Sequence, residues 1–326
     1  MRDQFDRRSV LGLATAGAFA AATLLTPQTA RAQTLDVVAT TGMIADAARA
    51  VGGDAVTVRA LMGPGVDPHA FRQTRSDIAA MTATDLVLWN GLYLEAQMED
   101  FLESLGESRP VIAVAETLPR DALLADEEYD GRFDPHVWMD PTKWSQVVVA
   151  VRDALIEVAP QSADAFRANA DTYLEELGAL AGYSERVLAS VPEESRVLLT
   201  AHDAFGYFGD AYGYEVIGIQ GLSTESEAGL ARIGELVDLL VEREIGAVFV
   251  ESSVSDRNIR ALIEGAASRG HEVTVGGELF SDAMGEPDTY EGTYIGMIDH
   301  NVTTIARALG GEAPPRGMQN RLAAGS

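Results

Sequence analysis

Three of the five histidines in this 326-residue chain stand in closely similar surroundings. His69 and His136 each end an Asp-Pro-His triplet, and His202 is followed directly by an aspartate. Each of the three lies just after a predicted strand or in the loop beyond it, whereas His271 and His300 lack this context and are interpreted as structural residues. Neutral imidazole binds zinc, manganese, iron and nickel, so the three histidines predict a transition-metal site.

The fourth ligand decides what such a site does. Asp282 and Glu251 both lie at or beyond the ends of predicted strands, and their positions in the sequence do not favour one over the other. Four protein ligands would close the shell around the metal, whereas three would leave a position for a reactive water. The second arrangement predicts a secreted metal-dependent hydrolase, in which Asp282 or Glu251 would serve as general base.

The composition excludes several other kinds of chemistry. The chain has no cysteine, which rules out disulfides, thiolate metal sites and cysteine nucleophiles. It carries 24 basic and 50 acidic residues, a formal net charge of -26, and so lacks the basic surface that a nucleic-acid partner requires. The sequence contains no nucleophile elbow, phosphate-binding loop or dinucleotide-binding glycine motif, which argues against an enzyme.

The elements that must position these residues form two successive blocks of strands alternating with helices. Continuous apolar runs separated by amphipathic stretches indicate parallel sheets covered on both faces. The predicted strands are 35–42, 56–62, 85–91 and 110–115 in the first block, and 195–200, 215–220, 247–251 and 271–275 in the second. Since ligands bind beyond the carboxyl ends of parallel strands, loops from both blocks are expected to face each other across a cleft.

A long helix over 161–190 is predicted between the two blocks, because apolar residues recur there at helical spacing. Thirty helical residues would span about 45 Å, the size of a domain. The alternative is two shorter helices broken at Gly178 or Gly182. The tail 312–326 is expected to be frayed. The predicted division of the chain is an N-terminal α/β lobe at 33–160, a linking helix at 161–191 and a C-terminal α/β lobe at 192–326.

Residues 1–32 have the pattern of a cleaved export signal. Arg7 and Arg8 precede an apolar stretch, and Ala30-Arg31-Ala32 supplies the small residues that a signal peptidase accepts, so Gln33 is the expected mature N-terminus. The paired arginines predict a twin-arginine signal. With no cysteine to receive a lipid, the protein is expected to be free in the periplasm rather than anchored.

Six ordered motifs resemble the metal-binding solute-binding proteins of ABC importers, the TroA-like group also called cluster A-I. The resemblance covers essentially the whole chain after residue 32. The motifs are Gly65-Val66-Asp67-Pro68-His69, residues 134–141 from Asp-Pro-His-Val-Trp to Pro141, residues 200–208 around Ala-His-Asp-Ala-Phe, Gly221-Leu222-Ser223-Thr224-Glu225-Ser226-Glu227, Ser281-Asp282-Ala283-Met284-Gly285, and residues 292–297.

This resemblance implies two lobes, each a four-stranded parallel sheet with flanking helices, joined by one long rigid helix that limits lobe movement. The family's metal ligands fall on His69, His136, His202 and Asp282, which leaves Glu251 as a supporting residue. The implied protein is not an enzyme. It is a monomer that hands its metal to an ABC permease with a separate ATPase subunit, and it meets the membrane only through that permease.

The cargo implied by the resemblance is a divalent transition metal. Zinc-specific members often carry a histidine-rich loop between the first two ligands, whereas the stretch from Glu116 to Asp134 contains no histidine. The 221–227 motif resembles members that take manganese or zinc. Bidentate binding by Asp282 would suit Mn²⁺, although Zn²⁺ binds nitrogen-rich sites more tightly. Manganese is therefore the expected cargo, with zinc next and iron third.

Overall fold

The computed structural model describes residues 34–126 and 131–323, so the predicted export signal lies outside the described residues. Within them, the first block begins with a strand and alternates strands with helices, as the apolar pattern predicts. Its elements are β1 Leu35–Ala39, α1 Gly42–Gly52, β2 Val56–Ala60, α2 Arg75–Ala83, β3 Leu86–Trp89, α3 Glu99–Gly106 and β4 Val111–Ala113.

The four strands of this block form one parallel sheet in the order β2-β1-β3-β4. Val37 of β1 is in register with Leu86 of β3, and Val87 is in register with Val111 of β4. All four residues of β3 are buried, as expected of a central strand covered on both faces. The prediction of a four-stranded parallel sheet is confirmed for this lobe.

Two long helices follow, α4 Pro141–Val158 and α5 Ala163–Leu188. The 26 residues of α5 form one continuous helix of about 39 Å, so the alternative of a break at Gly178 or Gly182 is wrong. Glycine in a helix costs about 1 kcal/mol relative to alanine, but a continuous buried stripe offsets that cost. The stripe consists of Phe166, Ala170, Tyr173, Leu177, Leu180 and Tyr183. Among the described helices, none is long and apolar enough to cross a membrane.

The second block repeats the alternation. Its elements are β5 Val197–Thr200, α6 Gly206–Tyr212, β6 Glu215–Gly218, α7 Leu230–Glu242, β7 Ala247–Glu251, α8 Arg257–Ser268, β8 Thr274–Leu279 and α9 Tyr294–Ala308. The strands form two parallel pairs, β5 with β6 and β7 with β8, and β5 lies beside β7. Together these strands complete the two-lobed α/β fold that the resemblance implied.

One apolar core runs through both blocks. It contains Val37 and Leu88 of the first sheet, Leu177 of α5, and Leu198 and Phe249 of the second block. Helix α5 contributes to this core and packs against α1, α4 and α9. The lobes are therefore joined by buried side chains as well as by the chain itself.

The C-terminal tail differs from the expectation that 312–326 would be frayed. Residues 312–323 pack on the second block, where the buried carboxylate of Asp299 accepts hydrogen bonds from the Met318 amide at 2.8 and 2.9 Å. Tyr290 donates a further hydrogen bond to Asp299 at 2.9 Å, and Leu322 is fully buried. The prediction was wrong for this described part because it rested on composition, whereas the anchor is a distant buried acid.

Candidate metal centre

Four buried side chains converge from loops at the carboxyl ends of strands. His69 follows β2 and His136 lies in the loop between β4 and α4, both in the first block; His202 follows β5 and Asp282 follows β8, both in the second. One potential ligand atom from each of the four lies within 4.8 Å of all the others. The structure thus brings together all four residues of the predicted set, two from each block.

The distances between the ligand atoms match a metal site. The Nε2 atoms of His69 and His136 lie 3.2 Å apart. Asp282 Oδ1 lies 3.5 Å from His136 Nε2, and Asp282 Oδ2 lies 3.3 Å from His202 Nε2. Ligands placed 2.0–2.1 Å from a central ion at tetrahedral angles would be about 3.3–3.4 Å apart. A first-row divalent ion therefore fits between these atoms without a large rearrangement of the loops.

Two carboxylates behind the cluster set the orientation of two imidazoles. Asp134 Oδ1 accepts hydrogen bonds from His136 Nδ1 at 2.7 Å and from its backbone amide at 2.9 Å. Glu251 does the same for His202, with Oε2 2.5 Å from Nδ1 and Oε1 2.9 Å from the amide nitrogen. A carboxylate that binds Nδ1–H leaves the lone pair of Nε2 free for a metal.

This geometry distinguishes between Asp282 and Glu251, the two acids that the sequence left as candidates for the fourth ligand. The Glu251 carboxylate lies on the far side of the His202 ring from the cluster, whereas both oxygens of Asp282 face histidine nitrogens. Glu251 is thus placed to support His202, and Asp282 is placed among the histidines.

His69 is held by a different kind of contact. Asp67 Oδ1 accepts a hydrogen bond from the His69 amide at 2.9 Å, and Asp67 Oδ2 accepts one from the Thr224 hydroxyl at 2.6 Å. Thr224 belongs to the second block, so Asp67 connects a residue of the candidate site to the opposite lobe. The 221–227 motif is visible in the sequence, but this contact is not, because it joins residues 157 positions apart.

Trp138 fixes the loop that carries Asp282. Its indole N–H donates to the Ser281 carbonyl at 2.7 Å, while its own carbonyl accepts a hydrogen bond from the Tyr294 hydroxyl at 2.8 Å. The Trp138 ring also meets the His136 imidazole edge-on, with centroids 5.2 Å apart. Trp138 lies in the 134–141 motif, but nothing in the local sequence indicates these contacts.

Burial and charge act on the titratable groups of the cluster in opposite directions. Burial lowers the pKa of His69 to about 3, against the pull of the Asp282 carboxylate, so this ring stays neutral. Burial alone would lower the pKa of His202, but the carboxylates of Glu251 and Asp282 outweigh it and raise the pKa. Burial would also raise the pKa of Asp282, yet the three imidazoles, His202 foremost, hold it below its usual range.

The buried polar atoms of the cluster also fit a bound cation. Among the described residues, His202 Nε2 and both carboxylate oxygens of Asp282 are buried without a hydrogen-bond partner. Such atoms are rare in folded proteins because each loses the hydrogen bonds that water would give it. A divalent cation between them would supply the missing interaction for all three atoms at once.

A cavity of about 350 Å³ reaches His69 from the surface between the two blocks. Its lining combines apolar, aromatic and charged side chains from both blocks. The residues include Leu92, Tyr93, Asp126, Arg132, Phe133, Ser223 and Glu225. The cavity offers a path for a small ion from solvent to the cluster.

Residues 37–308 match the protein family described as ZnuA, zinc-uptake complex component A, periplasmic. The chain belongs to this family. It is 52% identical to the manganese-binding lipoprotein MntA of Bacillus subtilis over 277 residues, which cover 85% of this chain and 90% of the relative. It is 47% identical to the zinc-binding protein TroA of Treponema pallidum over 273 residues, covering 84% of this chain and 88% of TroA.

A solved structure and a further relative also resemble this chain over most of its length. The solved structure of the periplasmic zinc-binding protein TroA of Treponema pallidum superposes with a TM-score of 0.83 at 46% identity, covering 85% of this chain and 99% of that one. The iron-binding protein YfeA of Yersinia pestis is 30% identical over 279 residues, covering 86% of this chain and 88% of YfeA. The relatives are named for binding manganese, zinc or iron, and none of these four comparisons is with an enzyme.

This member of the ZnuA family is thus the metal-binding component of an ABC importer, and a transition metal is its cargo. The predicted family and the prediction of a non-enzymatic protein are confirmed. The alternative of a secreted hydrolase has no support among the relatives.

Proposed function

We propose that the protein captures Mn²⁺ in the periplasm with His69, His136, His202 and Asp282, with Zn²⁺ as the closest competitor and Fe²⁺ third. The observation that carries the choice of metal is the position of Asp282. Its Oδ1 lies 3.5 Å from one histidine nitrogen and its Oδ2 lies 3.3 Å from another, so both oxygens face the centre.

Two carboxylate oxygens and three imidazoles amount to five donors. Structural zinc sites are almost always four-coordinate, whereas manganese accepts more ligands and suits oxygen donors. Binding through both carboxylate oxygens of Asp282 therefore favours the coordination geometry of Mn²⁺ over that of Zn²⁺. The relative with 52% identity is named as manganese-binding, which supports the same choice.

The intrinsic affinity of the ligands for each metal favours Zn²⁺ instead. Zn²⁺ lies above Mn²⁺ in the general order of stability for nitrogen and oxygen ligands. The relative with 47% identity is named as zinc-binding, in keeping with that order. We propose that the supply of each metal in the periplasm, together with coordination geometry, decides which ion is carried.

Release to the permease is proposed to involve local movement of loops rather than wide opening of the lobes. The continuous core through both blocks and α5 opposes a large hinge motion. At the mouth of the cleft, by contrast, two of the side-chain hydrogen bonds among the described residues cross from one lobe to the other. These are Thr224 to Asp67 at 2.6 Å and Gln97 to Glu225 at 2.5 Å.

The remaining parts of the proposed function concern location and partners. Residues 1–32 are proposed to direct export as a twin-arginine signal, so that the protein works free in the periplasm. It is proposed to act as a monomer and to deliver its metal to a membrane permease whose ATPase is a separate subunit. The proposed lobes are 33–160 and 192–326, with 161–191 as the linking helix.

The choice of metal is tested with the variant Asp282→Asn, which keeps the shape of the side chain but replaces one oxygen with an amide nitrogen. The affinities for Mn²⁺ and Zn²⁺ are measured by competition with a chromogenic chelator. Mn²⁺ affinity is expected to fall by a larger factor than Zn²⁺ affinity, because the five-donor geometry is lost. His300→Ala serves as the control, since His300 binds the Glu278 carbonyl and lies outside the cluster.

An equal fall for both ions would contradict the two-oxygen argument. The physiological cargo is then identified by elemental analysis of the protein purified from its native compartment. Zinc as the predominant metal in cells supplied with both ions would refute the proposed preference for manganese.

A further inference from the structure

The turn after β3 has an unusual backbone. Gly91, Leu92 and Tyr93 have φ angles of 78°, 54° and 69°, three successive residues in the left-handed region. Within the described residues, Leu92 and Tyr93 are the only adjacent non-glycine residues with positive φ. Each such residue costs on the order of 1–2 kcal/mol, so the surrounding structure must hold the turn in place.

Two carboxylates hold this turn through its backbone amides. Glu95 accepts hydrogen bonds from the Asn90 amide at 2.8 Å and the Gly91 amide at 3.2 Å. Glu116 accepts one from the Leu92 amide at 3.2 Å. The successive amides of this turn thus bind two anionic side chains of the protein itself.

Burying the Glu95 carboxylate at this position costs free energy. It is 1% exposed, and the donors described above, together with the Thr40 hydroxyl at 2.6 Å, are all neutral. Burial raises the pKa of Glu95 to about 7, although these hydrogen bonds act to lower it. A glutamate in such surroundings destabilises the fold unless all of its donors are in place.

The turn connects Glu95 to the candidate metal centre. The Asn90 side chain donates a hydrogen bond at 3.1 Å to the carbonyl of Pro135, the residue before His136. On its other side, the turn places Leu92 and Tyr93 in the lining of the cavity that reaches His69. The same short segment thus touches both the residue before one predicted ligand and the cavity that reaches another.

We propose that Glu95 is a positioning residue for metal binding: it holds the left-handed turn, and the turn sets the position of His136 through Asn90 and Pro135. This inference rests on the proposed function, because it assumes that His136 is a metal ligand. The role is separate from folding, since the predicted effect is on the geometry and lifetime of the metal complex.

The test uses Glu95→Gln and Asn90→Ala, each in the full mature chain loaded with Co²⁺. Glutamine can still accept the hydrogen bonds from Thr40 and Asn90 with one oxygen, but its amide group faces the Gly91 amide donor. Asn90→Ala removes the bond to Pro135 directly. Both variants are expected to change the visible absorption of Co²⁺ and to speed its dissociation by about 10-fold or more, the usual loss when a partner of a ligand is removed.

The matched control is Glu103→Gln, the same change at an exposed residue of α3 outside the turn, so the Co²⁺ spectrum and dissociation rate are expected to stay as in the parent. The double variant of Glu95→Gln and Asn90→Ala is expected to lose Co²⁺ no faster than the more severe single variant. Both substitutions act through the same turn, so their effects should not add.

Each outcome decides the proposal. A lower melting temperature for Glu95→Gln with an unchanged Co²⁺ spectrum and dissociation rate would make Glu95 purely structural and overturn it. If Glu95→Gln does not fold, an unchanged spectrum and dissociation rate in Asn90→Ala overturn the proposal, and a changed one supports it. Failure of the parent protein to bind Co²⁺, Mn²⁺ or Zn²⁺ would instead refute the proposed function, which is a distinguishable result.

Discussion

Replacing Glu251 with glutamine is expected to weaken metal binding even though Glu251 is not placed among the ligand atoms. The carboxylate accepts two hydrogen bonds from His202, at Nδ1 and at the backbone amide. A glutamine can accept only one of them with its oxygen, and its amide group then faces the other donor. Loss of such a partner costs about 10–100-fold in metal affinity, which corresponds to about 1.4–2.7 kcal/mol.

The size of this effect is expected to depend on pH, and the sign follows from the pKa of His202. Glu251 and Asp282 raise that pKa in the metal-free protein, so protons compete with the metal for His202. Glu251→Gln removes one of these charges and lowers the pKa, which reduces the competition from protons. The loss of affinity is therefore largest at high pH and becomes smaller as the pH falls.

The assay is a competition titration of Mn²⁺ and Zn²⁺ with the parent and variant proteins across a range of pH. Glu264→Gln serves as the control, since Glu264 is exposed on α8 and changes the net charge by the same amount. Unchanged affinity in Glu251→Gln would refute the argument that this acid orients His202. A loss of affinity that stays constant with pH would refute the argument about proton competition.

Three further variants test other parts of the molecule. His69→Ala is expected to reduce metal affinity by orders of magnitude in a chelator competition, whereas His300→Ala should not; similar losses in both would contradict the assignment of the site. Thr224→Val removes the hydrogen bond to Asp67 and is expected to speed metal dissociation in stopped-flow measurements by about 2- to 10-fold, from about 0.5–1.5 kcal/mol for one hydrogen bond. Thr224→Ser keeps the hydroxyl and should behave as the parent, so equal rates in the two variants would argue against an inter-lobe contact that slows release. Asp299→Asn replaces one of the two carboxylate oxygens that accept hydrogen bonds from the Met318 amide of the tail. It is expected to lower the free energy of unfolding, measured in urea, by about 1–3 kcal/mol, with little effect on metal affinity.

The sequence predicted the histidines of the centre because their local context repeats. An Asp-Pro-His triplet at His69 and again at His136 is visible without any knowledge of the fold. Position after a strand then indicated the edge of each sheet at which the side chains would meet. The roles of these residues as metal ligands stay predictions until a metal complex is measured.

The distinction between Asp282 and Glu251 could not be made from local sequence. Both acids follow or end a strand, and the difference lies in which side of the His202 ring each carboxylate occupies. That side is fixed only when β5, β7 and β8 come together in the folded chain, which local sequence does not show. The resemblance to a known family supplied what the residues alone could not.

Other errors have similar causes. The last strand was predicted at 271–275 but runs over Thr274–Leu279, because Gly276 and Gly277 interrupt its apolar pattern and His271 instead binds the Ile245 carbonyl. The third strand was predicted at 85–91 but ends at Trp89, since the left-handed turn begins at Gly91. Both depend on contacts with residues far away in the sequence.

The continuous core has a consequence for how the protein unfolds. Because Val37, Leu177 and Phe249 belong to one buried cluster, unfolding either lobe would expose apolar surface of the other. We therefore expect the two lobes to unfold together, with coincident transitions when different probes are used. A metal ion held between them by the proposed ligands would stabilise both lobes against unfolding, so cargo loading and resistance to heat or proteolysis are expected to rise together.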